Sequence, residues 1–137
     1  MTTYDLDRFV KAQENSYDQA LSEIRSGRKR SHWMWYIFPQ LKGLGMTSTA
    51  DHYGISGLDE AKAYIEHPIL GARLIEISEA LLNCGKSNPE EIFGYPDYLK
   101  CCSCMTLFEM VSDNPIFGEV LDKFYGGKRD SRTRGMV

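Results

Sequence analysis

The chain has 137 residues, of which 42% are apolar and 26% charged, and a formal net charge of −3. This length fits one domain with a continuous core, and this balance excludes a disordered chain and a protein that grips nucleic acid through a bulk positive field. There is no basic-then-apolar leader and no apolar run near the ~20 residues of a membrane span, so the expectation is a cytoplasmic protein without membrane partners. Its four cysteines, Cys84, Cys101, Cys102 and Cys104, are then expected to be reduced.

Taken in order, Leu6, Phe9, Val10, Tyr17, Leu21 and Ile24 recur at helical spacing, with Asn15 and Ser16 as a break. The spacing predicts helices over about 5–14 and 16–26, the first capped by Asp5 and the second stopped by Gly27. Pro39 ends any helix in the aromatic segment by about Phe38, since the residue before proline is pushed out of the α region. Gly43 and Gly45 make 40–46 a loop, and Thr47 or Ser48 caps a short turn that Gly54 stops. A helix capped by Ser56 or Asp59 follows, and another starts at Pro68, with Leu70, Leu74, Ile77, Leu81 and Leu82 as its stripe. Asn88-Pro89 and Asn114-Pro115 both place a capping residue before a proline, and Pro96-Asp97 opens a helix towards Ser112. No strand-like alternation and no repeat is present. The expected fold is all-α: a compact multihelical single domain of about seven to eight short helices, without a sheet, over residues 1–127. Residues 128–137 form a polar C-terminal tail, either loose or folded back on the domain.

Arg28 to Gly45, RKRSHWMWYIFPQLKGLG, is the unusual stretch. Buried rings remove some 150 to 250 Å² each from water, so it reads as a packing element. Its polar neighbours add chemistry. His32 is a candidate proton-transfer group or ligand, and Gln40 offers a donor and an acceptor. Lys29 and Arg30 beside Trp33 and Trp35 suit an anion held next to stacked rings. The plain alternatives are a satisfied core histidine and a solvated basic loop at a helix C-terminus.

Three other groups stand out. Cys101 and Cys104 share a helix face, but no second half-site accompanies them, so they read as small core residues and no metal is expected. Lys100, Ser103 and Thr106 slant around the same helix, without the glycine elbow of a serine nucleophile. Asp130, Arg132 and Thr133 reach a pocket only if the tail folds back. Walker, GxGxxG, HExxH and EF-hand patterns are absent, and no cofactor is expected.

The blocks DLDRFVKAQE, GRKRSHWMWYIFPQLKGLG, HPILGARL, EIFGYPDYLKCCSCMTLFE and FYGGKRDSRT together resemble the bacterial domain-of-unknown-function family numbered 1810, some of whose members carry the label calpastatin. The resemblance covers nearly the whole chain and implies a compact, mostly helical domain. It implies no activity, and it implies other small residues at the cysteine positions.

The functional expectation is a small-molecule-binding protein for a nucleotide-like or ADP-ribose-like ligand. Its pocket borders the aromatic segment and is lined by Lys29, Arg30, His32, Trp33, Trp35 and Gln40, with Lys100 and Asp130 as helpers from other elements. Whether a reaction is catalysed is left open. The alternative is a protein-partner or homodimer face built on the same rings, with single-stranded nucleic acid disfavoured by the acidic total.

Overall fold

The computed structural model describes residues 4–137, so the first three residues of the expected domain lie outside it. It contains ten helices: α1 (Asp7–Glu14), α2 (Tyr17–Arg25), α3 (Met34–Ile37), α4 (Ser48–His52), α5 (Leu58–Glu66), α6 (Leu70–Leu82), α7 (Pro89–Phe93), α8 (Asp97–Glu109), α9 (Ile116–Tyr125) and α10 (Ser131–Met136). The described residues hold no strand; Leu41 and Ile55 form an isolated parallel bridge. The all-α class stands, and the count corrects upward, from an expected seven or eight helices to ten among the described residues. The surplus comes from one-turn elements such as α3 and from α10, which lies where a tail was expected.

Several starts are set by local chemistry. The Thr47 hydroxyl accepts from Ala50 N, Asn88 Oδ1 from Glu90 N and Asn114 Oδ1 from Ile116 N. Others differ from expectation. Asp5 does not cap α1, whose N-cap is Leu6 without a side-chain bond. The N-cap of α5 is Gly57, and Glu60 reaches back to accept from Ser56 N at 2.8 Å. Pro68 lies ahead of α6, and the His67 imidazole caps it, Nδ1 accepting from Ile69 N and Leu70 N.

The core is centred on α8. Cys101, Cys104, Met105, Thr106, Leu107 and Phe108 are completely buried and Ser103 nearly so, which places almost every face of the helix out of solvent. A helix with so little polar surface has to be wrapped by others, and α5, α7, α9 and α10 all pack on it. The α9 stripe of Phe117, Val120, Leu121 and Phe124 covers one side, and α6 packs on α9, α5 and α2. Trp33, Met34, Ile37 and Phe38 join this core from the aromatic segment, Phe38 lying edge-on to Phe93 at 5.6 Å. No helix among the described residues is long and apolar enough to cross a membrane.

The corner between α5 and α6 depends on one missing side chain. A Cβ on Gly71 would stand 2.0 Å from the Ile65 carbonyl oxygen and 2.8 Å from its carbon. Backbone cannot yield as a side-chain tip can, so Gly71→Ala is expected to destabilise the fold by about 2–3 kcal/mol or more, seen as a lowered urea midpoint. An unchanged midpoint would show that the corner is not tightly closed.

Candidate functional site

The loop after the aromatic segment is held at both ends. Lys42 N donates to Ile55 O at 2.8 Å and Ile55 N to Gln40 O at 2.9 Å, tying the loop to the strand-like residue ahead of α5. Arg8 secures the far side, donating to His52 O and Gly54 O and pairing with Glu60 at 2.9 Å. Within the loop Gly45 lies so close to α4 that a Cβ there would stand 2.4 Å from the Ala50 Cβ and 3.4 Å from the Gln40 Nε2.

A cavity of about 520 Å³ opens between this loop, the first turns of α8 and the start of α10. Gln40, Leu44, Met46 and Thr47 line one wall, Tyr95, Pro96, Leu99, Lys100 and Ser103 the floor, and Asp130 and Arg132 the opposite wall. A narrow recess of about 10 Å³, room for about one water, adjoins it among Trp35, Phe38, Tyr53 and Met34, with Gln40, Ala50 and Lys100 common to both. Lys100 Nζ lies 5.6 Å from the Trp35 ring centroid and 3.4 Å from Asp97. Asp97 also pairs with Lys29 at 3.0 Å, so its charge is shared between two lysines.

Asp130 is fixed from several directions. Its N–H donates to Thr106 Oγ1 at 2.9 Å, and its Oδ2 accepts from Ser103 Oγ at 3.1 Å and from the Thr133 N–H and hydroxyl as the cap of α10. Arg129, one residue earlier, forks onto Glu109, also reaches Asp122, and donates to Gly127 O. These hydrogen bonds and the Arg129 charge hold the Glu109 carboxyl below the usual carboxylate range despite desolvation. The Lys100, Ser103 and Thr106 slant on α8 therefore runs from the cavity floor to the backbone of Asp130.

The structure divides the residues singled out in the sequence. Gln40, Lys100 and Asp130 come together at the cavity, and Trp35 sits beside them in the recess. Lys29, Arg30, His32 and Trp33 do not line it. Arg30 and His32 are exposed at the surface, away from both openings. Lys29 is a clamp, its N–H on Ile92 O at 2.7 Å and its ammonium 5.2 Å from the Trp33 ring centroid. Trp33 is 1% exposed and belongs to the core. Cys101 and Cys104 are likewise buried, and burial pushes the Cys101 thiol up to about 12, which leaves little thiolate at neutral pH.

The reason lies in Glu23, nearly buried on α2. Its carboxylate accepts from Arg30 N at 2.7 Å, Ser31 N at 3.0 Å, Ser31 Oγ at 2.7 Å and Trp33 Nε1 at 3.0 Å. Burial alone would raise the Glu23 pKa, but the bonds from Arg30, Ser31 and Trp33 together outweigh it and hold the group at about 2. The basic turn is thus folded around an anion supplied by the protein itself. One lining residue, Tyr95, has no local sequence signal for a site, since it lies in a turn, whereas Arg132 lines the cavity together with Asp130 from the segment expected to fold back.

A family model for a protein of unknown function (DUF1810) matches residues 3–137. The 1.38 Å crystal structure of the conserved hypothetical protein Rv1873 from Mycobacterium tuberculosis is similar to this chain, with 50% identity and a TM-score of 0.96 over 98% of this chain and 96% of that one. No curated protein matches the chain.

Because the Glu23 pKa is lower in the folded protein than its ordinary 4.5, its contribution to stability is complete above that value and is lost as pH falls towards about 2. Glu23→Gln is expected to cost about 3 kcal/mol at neutral pH and to flatten the acid limb of stability over that window. Urea unfolding at several pH values measures both; an acid limb as steep in the variant as in the parent would assign it to other carboxylates.

Proposed function

We propose that this chain, which belongs to the DUF1810 family of proteins of unknown function, binds a small anionic ligand of nucleotide-like or ADP-ribose-like class in the cavity between α8, the 40–47 loop and Asp130. The observation that carries the reading is the meeting of Lys100 and Arg132 with one carboxylate, Asp130, and one amide, Gln40, around about 520 Å³. That volume falls among those that enclose metabolites of nucleotide size. The lining carries two cations and one carboxylate, and the Asp97 beside Lys100 divides its charge with Lys29. Tyr95, 75% exposed at the rim, offers a ring face to a planar base. The Trp33 ring, by contrast, is enclosed, which weighs against a partner face or a base-stacking platform built on it.

In this reading His32 has no part, and Lys29 and Arg30 act in holding the fold. A thermal-shift screen against nucleotides, ADP-ribose and sugar phosphates tests it. A ligand at about 100 times its Kd adds roughly 2.7 kcal/mol, a rise of several degrees in Tm for a domain of this size. Lys100→Ala and Arg132→Ala are expected to lose the shift and His32→Ala to keep it. A shift that survives in both cavity variants, or none with any compound, would refute the assignment.

A further inference from the structure

Resting on that reading of the cavity, we propose that the moiety it selects is a sugar phosphate, with the sugar hydroxyls taken by Asp130 and Ser103 and the phosphate by Lys100 and Arg132. The starting point is the unequal use of the two Asp130 carboxylate oxygens. Oδ2 receives Ser103 Oγ at 3.1 Å, Thr133 N at 3.0 Å and the Thr133 hydroxyl at 2.5 Å. Oδ1 has no hydrogen-bond partner among the described residues, and Asp130 lines the cavity. Three donors on one oxygen hold the carboxylate in place and leave the other as a pre-positioned acceptor.

Ser103 adds a second acceptor. It is 7% exposed, lines the same cavity, and has a single proton shared between Leu99 O at 3.2 Å and Asp130 Oδ2 at 3.1 Å. What its hydroxyl has left to offer a ligand is a lone pair. The acceptors therefore sit together, and the donors are Lys100, Arg132 and the Gln40 amide.

This division restricts the ligand. A bare anion such as inorganic phosphate satisfies the cations but meets repulsion from the open carboxylate oxygen. A ligand ammonium would satisfy the carboxylate but lie beside two cations. Neutral O–H donors joined to an anion satisfy both halves, and a polyol phosphate is that combination. Vicinal hydroxyls are well matched, because a carboxylate oxygen has two lone pairs.

Isothermal titration of the full chain with ribose 5-phosphate, 2-deoxyribose 5-phosphate and inorganic phosphate tests the proposal. Ribose 5-phosphate is expected to bind about tenfold more tightly than the deoxy sugar, the factor expected of one hydrogen bond to a charged acceptor. Asp130→Asn keeps a capping side chain for α10, and it is expected to bring the ratio to about one while phosphate-dependent binding persists. Ser103→Ala serves as a second variant that keeps both Thr133 bonds to the Asp130 cap and is expected to reduce the same ratio. Equal binding of the two sugars by the unaltered protein, or a ratio unchanged in both variants, overturns the sugar assignment. If binding then still requires Lys100, the cavity reading survives that failure. Absence of binding by all three probes overturns the sugar assignment, while the cavity reading stands or falls separately on the nucleotide and ADP-ribose screen.

Discussion

The fold depends on a helix that has no face to give to water. Along α8 the run Cys101 to Phe108 begins with four small side chains and ends on Met105, Leu107 and Phe108, without a polar stripe, so its stability comes from being enclosed by other helices. The small residues let neighbouring helices approach closely, and the large ones fill the spaces between α5 and α9. The first turn, with Leu99 and Lys100, leaves this enclosure, and there the surrounding elements part to form the cavity. Placement of the cavity is thus a by-product of where the central helix stops being covered.

A second constraint is electrostatic. The RKRS turn carries three cations and several backbone donors near the C-terminus of α2, and Glu23 provides the acceptors. Desolvating a carboxylate is costly, and four hydrogen bonds offset that cost. The same interaction pulls the Trp33 indole into the core and turns the Arg30 and His32 side chains outward. A site-like cluster in the sequence becomes a piece of structural support, and Gln40, Lys100 and Asp130 meet elsewhere.

Elements whose cause is local were legible from the sequence. The stripe of α6, the Asn-Pro starts at Asn88 and Asn114, and the stop at Pro39 each follow from neighbours within four residues. Elements with a distant cause were not. The α10 helix needs Asp130 held by Thr106 and Ser103, more than twenty residues away, and nothing in KRDSRT alone announces that anchor. Gln40, Lys100 and Asp130 were named on chemical type, yet their meeting is a property of packing. His32 and Trp33 lie apart from that meeting because the turn is folded around Glu23, which reads in sequence as one more charge on an amphipathic helix.

The tie between Asp130 and Thr106 also orders the site in time. Residues 40–47 and the first turns of α8 leave the ribosome before the segment that completes the cavity, and α10 is capped only after α8 is in place to receive it. The wall carrying Asp130 and Arg132 therefore comes from a segment far along the chain from the 40–47 loop. Without that segment the cleft between the 40–47 loop and α8 would keep Lys100 but lack the carboxylate of Asp130.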